Sequence, residues 1–171
     1  MVKGDLRPSK RYPASKKEKK IVAKALSSLF QGLTPETVEH VEFRDGTVMY
    51  IVDGTPCIII VDDRVIPHLK CLLSHRAGIT LPLVIVDRGA TAAVGRGADL
   101  MVPGIRGMEG EFEAGDLVVV MDEEARVPVA VGEALLSSEE IREKLAGERR
   151  GKAVKILHRP GDRYWKMAEA L

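Results

Sequence analysis

Two periods of apolar and polar residues run along this 171-residue chain, and they divide it into elements. Ile21, Val22, Ala25, Leu26, Leu29 and Phe30 recur at the spacing that lines one side of a helix. Ser15 stands where a cap belongs, Glu18 three residues on completes a capping-box pattern, and Gly32 stops the run. Val38–Phe43 then alternates apolar and charged residues, as a half-buried strand does. Asp45 with Gly46 is a hairpin signal leading into Val48–Val52, and Asp53 with Gly54 leads into residues 56–61, which are apolar on both faces. Residues 65–75 read as a second helix ended by Gly78.

After Pro82 the pattern changes to short strands separated by glycine, proline and acidic turns. Residues 84–86, 100–102, 117–121, 128–131 and 153–157 are predicted strands, with 128–131 pairing back on 117–121 across the turn at 122–126. Helical turns are predicted at 91–95 and after Ser137 and Ser138, where Glu139 and Glu140 suit a helix N-terminus. Gly161 and Asp162 turn the chain into a last segment whose Trp165 is expected to close the barrel. Many short strands with regular turns predict a small barrel. The fold class is therefore an α+β N-terminal domain followed by a mostly-β pseudo-barrel. The expected boundaries are a basic arm over 1–15, the α+β domain over 16–82, the barrel domain over 83–166 and a C-terminal tail over 167–171.

Composition narrows the classes. No apolar run approaches the roughly 20 residues of a membrane span, and no apolar stretch follows the basic N-terminus as in a signal peptide, so a cytoplasmic protein with no membrane partner is expected. Two cysteines are too few for a disulfide framework, and Cys57 and Cys71 are expected to be buried thiols. Asparagine is absent, glutamine occurs once and charged residues make up 30%, a bias typical of hyperthermophilic proteins. The net charge of +1 conceals two basic poles: residues 1–20 and 142–166 each carry a net +6, while residues 21–141 carry −10. A neutral chain with basic poles still attracts a polyanion locally.

The second half resembles the PUA domain, an RNA-binding module. The resemblance lies in Val86-Asp87-Arg88-Gly89-Ala90, in Gly97-Ala98-Asp99-Leu100-Met101-Val102-Pro103-Gly104-Ile105, and in Gly115-Asp116-Leu117-Val118-Val119-Val120. Ala130-Val131-Gly132, Ser137-Ser138-Glu139-Glu140-Ile141, Gly151-Lys152-Ala153-Val154 and the stretch from His158 to Trp165 continue it in the expected order. Pro67-His68-Leu69-Lys70-Cys71-Leu72-Leu73, running through Leu81-Pro82, looks like the segment that precedes this domain in the malignant-T-cell-amplified-sequence family, here of archaeal type. The resemblance implies a non-catalytic RNA-binding protein of translation that acts on tRNA or at the small ribosomal subunit, with an initiation-factor-one-like protein as partner and no cofactor. It implies an RNA groove with Arg88, Gly89, Arg96, Gly97, Ala98, Met101, Pro103, Gly104 and Ile105 on one side and Lys152, Lys155, His158 and Arg159 on the other. The basic C-terminal pole falls on that second side. A protein-interaction module, or an accessory subunit of an RNA-modification enzyme, is the alternative.

The residue types fit such a groove. Glycine lets a ligand approach the backbone with no Cβ in the way, and guanidinium groups grip phosphate or stack on bases. Single residues also have plain structural readings: turn glycines, core packing for Met101 and Ile105, and helix or turn caps for Asp87 and Asp99. Signals for chemistry are weak. His68, Cys71 and His75 share a helix face but lack a fourth zinc ligand. Gly95-Arg96-Gly97-Ala98-Asp99-Leu100 lacks the third glycine of a dinucleotide fingerprint, and Gly151-Lys152-Ala153 lacks the Ser/Thr and upstream glycine of a phosphate loop. No metal site and no catalytic residue are expected.

Overall fold

The computed structural model describes residues 4–171. The chain forms two compact units: one runs to Thr80 and takes in Gly161–Leu171, the other is Leu81–Pro160.

The first unit is an antiparallel meander of β1 (Pro8–Pro13), β2 (Val38–Phe43), β3 (Val48–Val52), β4 (Thr55–Val61) and β5 (Arg64–Pro67), paired in that order. Helix α1 (Lys16–Leu29) enters between β1 and β2 and buries Val22, Leu26 and Leu29. The Oγ of Ser15 accepts from the Glu18 N–H, as the cap pattern predicts. The Glu18 carboxylate is used across the fold instead, 2.7 Å from His40 Nδ1 and accepting from the Tyr50 hydroxyl at 3.2 Å. Burial pushes that carboxyl up, but the His40 and Tyr50 hydrogen bonds more than offset it and hold it below its usual range.

Three expectations for this unit are corrected. Residues 8–13, set apart as part of a basic arm, are instead an edge strand of the domain's sheet, with Arg11 opposite Val41 in the ladder. β1 carries no apolar alternation because five of its six side chains face solvent; Lys10 and Arg11 pair with Glu42 and Glu39 instead. Residues 1–3 of that arm lie outside the described residues. The helix read over 65–75 divides into β5 and a shorter α2 (Leu69–Ser74). Asp62 and Asp63, at φ 49° and 62°, make the two-residue turn that pairs Arg64 with Val61, and the helix begins only after His68, whose ring accepts from the Lys70 N–H. Cys57 on β4 and Cys71 on α2 are joined by a disulfide, not left as thiols, because the close packing of α2 on β4 sets their Cα atoms 4.8 Å apart.

The second unit contains β6 (Leu83–Val86), α3 (Arg88–Gly95), β7 (Leu100–Met101), β8 (Ile105–Glu109), β9 (Leu117–Asp122), β10 (Pro128–Ala134), α4 (Ser138–Ala146) and β11 (Lys152–His158). The strand order is β7-β11-β10-β9-β6-β8, antiparallel except where β6 runs parallel to β9. The sheet curls as the mostly-β half-barrel that the sequence predicts. Val84, Val86, Val118, Val120, Ile141 and Val154 lie at the centre of its aliphatic core. Ser137 and Glu140 form a complete capping box on α4. β8 falls where no strand was predicted, since its residues pair with β6 without an apolar alternation of their own.

The chain then returns to the first unit through α5 (Arg163–Glu169). Trp165 therefore does not close the barrel: its ring stacks 6.2 Å from that of His68, with the Lys70 ammonium 5.1 Å from the indole centre. Nor are residues 167–171 a free tail, since Met167 and Ala168 are buried. No helix among the described residues is long and apolar enough to cross a membrane.

Candidate nucleic-acid interface

Helix α3 organises the candidate site. Asp87 caps it, its carboxylate accepting from the Ala90 N–H at 2.8 Å, while the Asp87 N–H donates to the Gly104 carbonyl at 3.0 Å. One residue thus starts the helix and ties it to the 3-10 turn Val102–Gly104. The tie is close. A Cβ on Gly104 would stand 2.5 Å from the Ala90 Cβ, so only glycine lets the turn meet the helix here. Between helix and turn lies a cleft of about 240 Å³, lined by Asp87, Gly89, Ala90, Ala93, Val94, Asp99, Leu100, Met101, Pro103 and Gly104.

Gly89 differs from Gly104. Its backbone is helical, and a Cβ there would meet only the Asp87 carboxylate at an ordinary 3.5 Å. Neither conformation nor packing requires glycine at this exposed point in the first turn, where glycine costs helix stability relative to alanine. What it does is leave the mouth of the cleft open.

The structure divides the expected site residues. Gly89, Met101, Pro103 and Gly104 line the cleft, with Met101 exposed beside it. Arg88 at the start of α3, and Arg96, Gly97 and Ala98 beyond its end, are exposed. Ile105 is 2% exposed and belongs to the core. It opens β8, opposite Val86, and that pairing turns its side chain inward. His158, which ends β11 opposite Val131, is fully buried, so it too is removed from direct contact with a ligand.

The second wall also changes. β11 pairs with β7, setting Lys152 opposite Met101 and Val154 opposite Leu100, so the basic strand flanks the cleft and contributes none of its lining. Asp99 joins the two: it accepts from the Ile156 N–H at 3.0 Å and lies 3.5 Å from the Lys152 ammonium. The Arg159 guanidinium donates to the Gly95 carbonyl at 3.1 Å and lies against Gly97, whose φ of 100° and close approach both favour glycine. Arg159 thereby holds the loop after α3 in place. Arg88, Arg96 and Lys155 make no ion pair among the described residues. Of the lining residues, the expected set lacked Asp87, Ala90, Ala93, Val94, Asp99 and Leu100. The signal was the run of small residues from Gly89 to Ala93, which leaves α3 thin on its cleft side.

Asp122, at the end of β9, braces the outside of α3. It accepts from the Thr91 hydroxyl at 2.6 Å and from the N–H groups of Glu124 and Ala125. The Thr91 hydrogen bond, followed by the backbone donors, holds its carboxyl below the usual range although the residue is buried. The described residues hold no His/Cys/Asp/Glu group arranged to bind a metal ion.

Residues 82–159 match the PUA domain, and residues 10–75 match a domain of unknown function (DUF1947). The chain is 38% identical to an uncharacterized protein of Methanocaldococcus jannaschii over 91% of its own length and 95% of that protein. It is 31% identical to translation machinery-associated protein 20 of Saccharomyces cerevisiae, covering 77% of this chain and 72% of the yeast protein. The crystal structure of a PUA domain protein from Aeropyrum pernix, solved as a tartrate complex, superposes with a TM-score of 0.81 at 32% identity, covering 94% of this chain and 91% of that one. With both domain matches in order along one chain, and with a fold shared over nearly its whole length, the protein belongs to the family of two-domain PUA proteins typified by translation machinery-associated protein 20.

Proposed function

We propose that this protein is a non-catalytic RNA-binding protein of the cytoplasmic translation apparatus, which holds a single-stranded end of a structured RNA in the cleft beside α3. The observation that carries this reading is Gly89, a glycine that nothing in the fold requires, in the lining of a cleft beside a helix with the exposed Arg88 at its start and the exposed Arg96 just beyond its end. Asp87 and Asp99 put carboxylates in the lining, so the cleft suits a base and its ribose hydroxyls rather than a phosphate. Phosphates fall outside, on the cationic rim. Extruded bases read by shape and edge contacts, with the backbone held electrostatically, is how proteins commonly take single-stranded RNA. The likeness to a translation machinery-associated protein supports tRNA, or RNA of the small ribosomal subunit, as the target. An initiation-factor-one-like partner belongs to the same reading.

The test is binding of the full chain to a hairpin RNA with a 3′ single-stranded overhang, compared with the same hairpin blunt-ended. The wild type is expected to prefer the overhang. Gly89→Leu, which fills the mouth with a good helix former, is expected to abolish that preference while leaving thermal stability unchanged or raised. A wild type indifferent to the overhang, or a Gly89→Leu protein that keeps the preference, overturns the assignment.

A further inference from the structure

The first unit carries a cationic surface that the cleft does not use. Helix α1 presents Lys16, Lys20 and Lys24 in one i, i+4, i+8 row, with Lys17 alongside, all exposed. The row spans about 12 Å at the rise of an α-helix. None of these four lysines has an ion-pair or hydrogen-bond partner among the described residues. The contrast with β1 is direct, where Lys10 and Arg11 are both matched to glutamates. The only acid on α1, Glu18, is turned away to His40 and Tyr50. Ser27 and Ser28, further along the helix, donate to carbonyls of the helix itself.

This placement works against the helix. Lys16, Lys17 and Lys20 crowd the end where the helix dipole is positive and carboxylates are favoured. Lysines four apart repel one another. The last turn, where a cation would help, has none. A local arrangement that opposes its own element marks a functional constraint, and a polyanion laid along the row relieves both costs.

We propose that this lysine row is a second RNA-contacting surface, one that binds the phosphate backbone of double-helical RNA without reading sequence. Lysine supplies a mobile point charge and no planar fork, which suits a backbone rather than base edges. An anionic membrane is the weaker match, because the apolar side of α1 is already buried in the core and leaves only Ile21 exposed on the outer side. The choice of RNA as the polyanion rests on the proposed function; the surface itself is independent of the cleft.

The test uses a blunt RNA duplex of about 20 base pairs, which offers the cleft no single-stranded end, and the full chain carrying Lys16→Gln, Lys20→Gln and Lys24→Gln. The triple variant is expected to bind the duplex about tenfold more weakly, and its slope of log affinity against log salt is expected to fall by about 2 to 3. Its melting temperature is expected to stay level or rise, because the repulsion is gone. Gly89→Leu is expected to bind the blunt duplex like the wild type, so the two surfaces fail separately. An unchanged affinity and slope in the triple variant overturns the proposal. So does lysine-dependent binding to phosphatidylserine vesicles in a protein that ignores the duplex.

Discussion

Gly89 and Gly104 lie 15 residues apart on the same cleft and answer to different physics. At Gly104 an added methyl has nowhere to go, since the Ala90 Cβ would be 2.5 Å away. Gly104→Ala is expected to destabilise the second unit by about 1 to 3 kcal/mol, as overpacking does, read from urea unfolding. At Gly89 an added Cβ meets only the Asp87 carboxylate at an ordinary 3.5 Å, and substitution is expected to stabilise α3 by up to about 1 kcal/mol while closing the cleft. The opposite signs separate a glycine that packing requires from one that the fold does not require. Asp122 makes a prediction in pH. Its folded carboxyl is held below the ordinary value, chiefly by Thr91, so it contributes stability above the unfolded pKa and loses it as pH falls through the folded one. Asp122→Asn should therefore cost stability at pH 7, and the gap between variant and wild type should shrink as pH drops below the normal carboxylate range near 4. A gap that stays constant with pH would exclude this account. At this scale the sequence was legible where a residue acts on its neighbours: Ser15, Asp87 and Ser137 are caps where the pattern placed caps. It was not legible for His158, whose burial depends on which strand lies opposite, nor for Met101, which shares the core reading given to Ile105 but is exposed.

Among the elements, those with a strong period are as predicted. The helix with six apolar positions is α1, the alternating stretch is β2, and the 122–126 turn joins β9 to β10. Elements without a period were lost. β1 is held by backbone pairing and edge ion pairs, and β8 by its register with β6. The disulfide joins two elements whose contact no local pattern records. It closes a loop of 14 residues' separation, for which the loop-entropy model gives about 3 kcal/mol. Reduction, or Cys57→Ala with Cys71→Ala, is expected to lower the stability of the first unit by that order in guanidinium unfolding. The overhang preference of the second unit should persist at temperatures where both units stay folded. Loss of that preference on reduction would mean that the disulfide serves the cleft.

Charge is unevenly distributed over the whole molecule. The near-neutral total divides into two basic poles and an acidic middle, and the fold sets the two poles on different elements. The C-terminal pole supplies Lys152, Lys155 and Arg159 along the flank of the cleft, although Lys152 and Arg159 are partly engaged in holding the site together. The N-terminal pole divides between an ion-paired edge strand and an unpaired helix face. On an RNA with both a helix and a 3′ overhang, Lys20→Gln should lower the salt slope by about 1 and leave the overhang preference intact. Gly89→Leu should do the reverse, in the same titration.

Periods, caps and turn pairs act within a few residues, so the order of elements, the α+β and mostly-β character of the halves and the glycine-lined segment after β6 were already written in the order of amino acids. Contacts between residues far apart in the chain were not. Cys57 meeting Cys71, β11 lying beside β7, Trp165 returning to His68 and β8 turning Ile105 inward all follow from long-range pairing and close packing. Residue type says that a side chain is apolar or charged. It takes the neighbouring strand to say which way that side chain faces, and that is why the predicted two-walled groove became a cleft beside α3 with a basic strand along its flank.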